Sequence, residues 1–306
     1  MVLAFGRMLA SRSVVTPWKA FHQATTYSGW KAAAASGANA TLPLRNFCSK
    51  PSKDGAVDEK LRHSDDPALE RLFVKNREWV DATNKEDPGF FKKLGAGQSP
   101  EYLYIGCSDS RVSVASLVGL EMGDLFVHRN VANMVVSTDL NLLSVITYAV
   151  EHLKVKHILL TGHYDCGGVR AAMTHKDVGP VLDGWIQNIR DVYRLHQEEL
   201  DAIADEELRH RRLVELNVAE QCLNLYKCSA VQKNRHLTHL DPNVPFAYPR
   251  VHGLVFDPAT GVLCKVPINY RRTVQELRSM YELFDEQDFK VPKDYYIKRS
   301  SAPKKK

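Results

Sequence analysis

"HILLTGH", residues 157–163, decides the fold. It is a short, continuous apolar run, and a strand that reads this way belongs to a mostly parallel sheet covered on both faces. Working upstream, "NLLSVITYAVEHL" (141–153) keeps helical spacing at Leu142, Val145, Ile146, Ala149 and Leu153. Before it, "DLFVHRNVAN" (124–133) reads as a strand and loop, and "EYLYIGC" (101–107) as a further β-rich run. Downstream of Gly168, "GWIQNIRDVYRLHQEEL" and "RRLVELNVAEQCLNLYKCSAVQK" are helical. "PFAYPRVHGLVFD" and "GVLCKVPIN" then return as strands about the turn "DPATG", a hairpin placed to add an antiparallel edge. Strand alternating with helix argues for one α/β domain with right-handed crossovers. The expected architecture is a mostly parallel central sheet with flanking helices, an antiparallel edge strand and an N-terminal helical arm.

The arm comes from Asp66-Pro67, an N-cap followed by Pro at the first helical position. Leu69, Leu72, Phe73, Trp79 and Val80 follow near a 3.6-residue period. The chain is accordingly divided into a presequence (1–47), a polar linker (48–64), the arm (65–94), a catalytic domain (95–285) and a basic tail (286–306). The formal charge of +5 sits in the presequence, where Arg7, Arg12, Lys19, Lys31 and Arg45 stand without one acid, leaving 36 basic and 36 acidic residues for the rest. A neutral body removes the electrostatic case for nucleic-acid binding. A basic, acid-free segment rich in Ser, Ala and Thr suits an organellar transit peptide. "LPLRNFCSK" resembles a mitochondrial processing site between Phe47 and Cys48, so the mitochondrial matrix is the expected location and the plastid the alternative. No apolar run approaches the roughly 18 residues that a membrane span needs. Six cysteines without a secretory signal favour thiol or metal roles over a disulfide framework. Of these, Cys222, Cys228 and Cys264 are expected to be small buried apolar residues.

In an open parallel sheet, ligands sit in the crevice outside the carboxyl ends of the strands. Cys107 ends one strand, and "HYDC" carries His163 and Cys166 from the end of another. Two thiols and an imidazole can converge there. This is a set that Zn²⁺ accepts, and three protein ligands leave the fourth tetrahedral position open for chemistry. "CSDSR" adds Asp109 and Arg111 beside the first thiol. The acid is placed to act either as a fourth ligand or as hydrogen-bond acceptor for a metal-bound water, and Arg111 offers it a bidentate fork. The plain alternative is a loop salt bridge that caps the next helix.

"CSDSR", "FVHRNVAN", "GHYDCGGV" and "ELNVAEQ" resemble the β-class carbonic anhydrases, and the similarity to bacterial-type members runs from "EDPGFF" through "FAYPRVHG". The resemblance implies a zinc enzyme that interconverts CO₂ and bicarbonate, with Cys107, His163 and Cys166 as ligands and Asp109 paired to Arg111 as the catalytic dyad. In such an enzyme Zn²⁺ lowers the pKa of its water toward about 7, which supplies hydroxide at neutral pH. It further implies a homodimer or homotetramer whose N-terminal helices wrap the partner, and a noncatalytic bicarbonate site at Trp79, Arg129 and Tyr248. The segment "HLTHLDPNVPFAYPR" is longer and more polar than the family pattern. The expected partners are thus CO₂ and bicarbonate, with neither nucleic acid nor membrane. Other readings of the same residues are a carbonyl sulfide or carbon disulfide hydrolase, a cysteine phosphatase or rhodanese-like transferase using Cys107, and a zinc-stabilised scaffold without turnover.

Overall fold

The computed structural model describes residues 62–281 and 283. The expected presequence, its processing site and the basic tail lie outside the described residues, as does most of the linker. The chain divides into two units at Lys75/Asn76, inside helix α1 (Pro67–Glu86). In the first unit Asp66 caps α1 as its sequence requires, its Oδ1 accepting the Ala68 N–H at 2.8 Å. Helix α1 buries none of its residues, and Leu72 stays 60% exposed. In the second unit α2 (Phe90–Leu94) follows the "EDPG" turn.

Five strands form one sheet: β1 (Tyr102–Cys107), β2 (Leu125–Asn130), β3 (His157–His163), β4 (Arg250–Phe256) and β5 (Leu263–Lys265), in the order β2-β1-β3-β4-β5. The first four are parallel, and β5 alone runs antiparallel, against β4. The hairpin therefore contributes a fourth parallel strand as well as the antiparallel edge. Helices α5 (Gly167–Ala172), α6 (Pro180–Leu195), α7 (Gln197–Asp201), α8 (Glu206–Lys227) and α9 (Ser229–Leu240) supply the long crossover that a parallel β3–β4 pair requires. As the continuous apolar pattern implies, Ile105, Ile158 and Leu160 have no exposed surface. Each such side chain contributes about 1.5–3 kcal/mol by leaving water.

The long helix α8 (Glu206–Lys227) lies across β3 and β4. A Cβ at Gly162 would stand 2.6 Å from Val218 Cγ2, so the bare backbone of β3 is what lets α8 approach. Its own start is capped by Asp205, whose Oδ1 accepts the Leu208 N–H at 2.8 Å. Two helical stretches differ from the sequence expectation. The 141–153 segment forms α4 (Leu140–Thr147) and then a widened π turn over Tyr148–His152, which carries the adjacent Ala149 and Val150 both into the core. The run through "YKCSAVQK" breaks at Cys228, which has extended backbone between α8 and α9. Among the three cysteines expected inside, Cys222 is buried and Cys228 half-buried, whereas Cys264 is exposed because β5 is a three-residue edge strand. No helix among the described residues is long and apolar enough to cross a membrane.

Candidate metal centre

Strands β1 and β3 are neighbours, so their carboxyl ends deliver Cys107 and His163 to the same point of the crevice. The chain then turns through Asp165, whose φ of 54° is left-handed, and brings Cys166 back as the residue before α5. Side-chain donor atoms of Cys107, His163 and Cys166 lie within 4.8 Å of one another, and all three residues are buried. The Cys107 and Cys166 sulfurs are 3.9 Å apart. Two sulfurs on a tetrahedral Zn²⁺, each with a bond near about 2.3 Å, stand about 3.8 Å apart. The imidazole is oriented for the same purpose. Its Nδ1 lies 2.9 Å from Tyr164 O, which can only accept, so Nδ1 carries the proton and Nε2 keeps its lone pair. That Nε2 is buried and has no hydrogen-bond partner. An unpartnered imidazole nitrogen facing two thiols fits a soft divalent ion.

The thiols are electrostatically unequal. The pKa of the Cys107 thiol is pulled well below its usual value, first by the hydrogen bond from Cys166 and then by His163 and the Ala132 N–H, which lies 3.4 Å from its sulfur. Cys166 moves the opposite way, because the Cys107 thiolate beside it and burial both hold its proton on. Burial works against protonation of His163, but the Cys107 thiolate outweighs it and raises the imidazole. The pocket thus favours at least one thiolate before any cation arrives.

Asp109 and Arg111 form the fork that their spacing suggests. Arg111 Nε donates to Asp109 Oδ1 at 2.9 Å and Nη2 to Oδ2 at 2.8 Å. These bonds hold the Asp109 carboxyl well below the usual carboxylate range. Asp109 Oδ2 lies 3.7 Å from His163 Nε2, so the acid faces the donor set. Arg129 reaches from β2 to brace the same loop, giving Cys107 O bonds of 2.9 and 2.7 Å and Asp109 O one of 2.7 Å.

The structure does not gather Trp79, Arg129 and Tyr248. Arg129 pairs with Gly106 at the carboxyl end of the sheet. Tyr248 precedes β4, whose Arg250 pairs with His157 at the amino end, and its ring meets His157 edge-on at 6.1 Å. A seven-residue strand separates those ends by roughly 20 Å. Trp79 packs edge-on against Phe91 at 5.2 Å. The aromatic residue of β4 that does reach the carboxyl end is Phe256, opposite His163.

Two buried residues beside the site, Asn217 and Gln221, entered the sequence reading only as part of "ELNVAEQ". Asn217 and Gln221, one turn apart on α8, are buried amides. Asn217 Nδ2 donates to Ala132 O at 3.2 Å, and Gln221 Oε1 accepts from Val135 N at 2.8 Å. They fix the turn after β2, where Ala132 and Asn133 have positive φ. A Cβ on Gly168 would meet Val131 Cγ1 at 3.0 Å and Ala132 Cβ at 3.1 Å, so the second glycine of "CGG" lets α5 approach that turn. Two amides spaced i, i+4 inside an apolar helix face were the available signal.

Residues 102–263 match the family model described as carbonic anhydrase. A carbonic anhydrase of Emericella nidulans is 49% identical over 233 residues, covering 76% of this chain and 96% of that protein. Another from Candida albicans is 35% identical over 74% of this chain and 76% of its own length. Among solved structures, a tetrameric β-carbonic anhydrase of Sordaria macrospora superposes with a TM-score of 0.60 at 40% identity, over 65% of this chain and 96% of its own. A β-carbonic anhydrase of Aspergillus fumigatus gives a TM-score of 0.62 at 34% identity, over 74% of this chain and 100% of its own.

Proposed function

Since the chain belongs to the β-class carbonic anhydrases, we propose that Cys107, His163 and Cys166 hold one Zn²⁺ and that the site interconverts carbon dioxide and bicarbonate. The observation that carries this reading is the buried, unpartnered Nε2 of His163 facing two thiol sulfurs, with the Asp109 carboxylate 3.7 Å away. Zinc, when bound, supplies the nucleophile at neutral pH by lowering the pKa of a water toward about 7.

The rest of the chemistry belongs to side chains. Asp109 is an acceptor with no proton of its own at neutral pH, so it takes a hydrogen bond from the attacking water and aims its lone pair at the carbon of CO₂. Arg111 keeps that carboxylate ionised and in one orientation, a bidentate role that an ammonium cannot fill. Arg129 holds the carbonyls of Cys107 and Asp109, fixing the thiol and the acid in register. The partners are CO₂, bicarbonate and further copies of this chain. The exposed apolar residues of α1, Leu69 and Leu72 among them, suit cover by a second copy, and the Sordaria relative is described as tetrameric.

The test is metal content and CO₂ hydration measured together on Cys107→Ser, His163→Ala and Cys166→Ser. Each variant is expected to lose zinc and turnover in parallel. Full zinc occupancy in Cys166→Ser would overturn the ligand assignment.

A further inference from the structure

The fork on Asp109 is the inner end of a longer chain of charges. Arg111 has five N–H donors, and its side chain uses Nε and both terminal nitrogens. Beyond the two bonds to Asp109, Nη1 donates to Asp165 Oδ2 at 2.8 Å and Nη2 to Asp165 O at 3.0 Å. The left-handed backbone of Asp165 (φ 54°) sets both its carbonyl and its carboxylate on this one guanidinium. The other carboxylate oxygen, Oδ1, accepts from Arg170 Nη2 on α5 at 3.3 Å. Arg170 in turn makes a second bidentate fork, to Glu207 of α8, with bonds of 2.7 and 2.9 Å.

We propose that Asp165, Arg170 and Glu207 are positioning residues for CO₂ hydration: through two guanidinium forks joined at Asp165 they fix Arg111, and thereby Asp109, to helices α5 and α8. The proposal rests on the carbonic anhydrase reading above. The physical need is clear from exposure. The Arg111 side chain is 44% exposed, and a single exposed ion pair does little against the rotamer freedom of an arginine. The Arg111 backbone N–H also donates to Asp109 Oδ1 at 2.9 Å, but that bond and the fork alone would leave the guanidinium and the outer carboxylate oxygen free to swing together. Four bonds to two acids, the outer one held from a second arginine, leave the guanidinium one plane to occupy. Because Asp165 and Glu207 are themselves 63% and 68% exposed, the network governs orientation more than stability. Misplacement of a reacting group on the scale of 1 Å costs up to about 10²-fold in rate.

The experiment uses the zinc-quantified full-length chain. Asp165→Asn is the first variant, since asparagine tolerates left-handed backbone and keeps the carbonyl bond; Glu207→Gln, at the far end of the network, is the second. The expected result is a kcat loss of about 10-fold for Asp165→Asn and a smaller one for Glu207→Gln, with KM within about twofold and zinc content unchanged. In an Arg111→Ala background Asp165→Asn should add no further loss, because both act through one group. Independently of turnover, ¹⁵N-edited spectra should show faster solvent exchange of the Arg111 Nε–H in both variants. Unchanged kcat and unchanged Arg111 exchange, or a loss that adds fully to that of Arg111→Ala, would overturn the proposal while leaving an active wild type. An inactive zinc-loaded wild type would overturn the carbonic anhydrase reading, and this proposal with it.

Discussion

Asp109 is the residue at which metal binding and turnover are expected to part company. It touches no sulfur and is two positions from the first ligand, yet its Oδ2 faces His163 Nε2 at 3.7 Å. Asp109→Asn preserves the shape and removes the anionic acceptor. The variant should keep its zinc and lose about 10²-fold or more in kcat, as removal of one preorganised polar group does elsewhere; metal analysis and stopped-flow hydration on one sample check both halves. Near-equal rates would reduce the dyad to a loop salt bridge. Cys107, Asp109, Arg111, His163 and Cys166 were legible from the sequence because strand ends and short spacings put them within reach. Tyr248 was misplaced for the complementary reason: aromatic identity was readable in "FAYPRVHG", but which end of β4 it occupies depends on register with β3. Asp165 was not singled out, since its contact with Arg111 depends on a left-handed turn that brings the two together across 54 residues.

At the scale of elements, α8 does more than cover the sheet. Gln221 ties the turn after β2 to the helix by accepting from Val135 N and donating to Asn217 Oδ1. Gln221→Leu would leave a buried N–H unsatisfied, which costs about 1–3 kcal/mol. The urea midpoint should fall by that free energy divided by an unchanged m-value, and a midpoint equal to wild type would show that the turn does not depend on α8. The alternating order of strands and helices was readable from apolar periodicity. The π turn after α4 was not, because periodicity reports which residues are apolar and not that Ala149 and Val150 both turn inward. Likewise, "GVLCKVPIN" was read as the antiparallel edge, but its pattern does not show that the strand shrinks to three residues and leaves Cys264 exposed.

For the whole molecule, acid stability should be set in part far from the metal centre. His252 is pushed down from 6.5 to about 4, chiefly by burial and then by His157, Arg250 and Lys265; His157 Nδ1 lies 3.1 Å from its Nε2. Above about pH 6.5 the histidine is neutral in both states and contributes no slope. Between 6.5 and 4 the unfolded chain binds a proton that the folded chain refuses, so stability falls with falling pH by an upper limit of about 3 kcal/mol. His252→Gln should flatten the dependence of the urea midpoint in that window, and an unaltered slope would contradict the assignment. The acid-free segment 1–47 should direct a fused fluorescent protein to mitochondria, whereas diffuse cytosolic fluorescence would reject the targeting proposal. One zinc at Cys107, His163 and Cys166 is proposed to make this chain a catalyst of CO₂ hydration. The most direct test is ¹⁸O exchange between CO₂ and water, followed on zinc-quantified protein before chelation, after it, and after zinc is restored. Exchange should be proportional to bound zinc, abolished by the chelator and recovered with the metal; full zinc occupancy without exchange would rule out a catalytic zinc at this site.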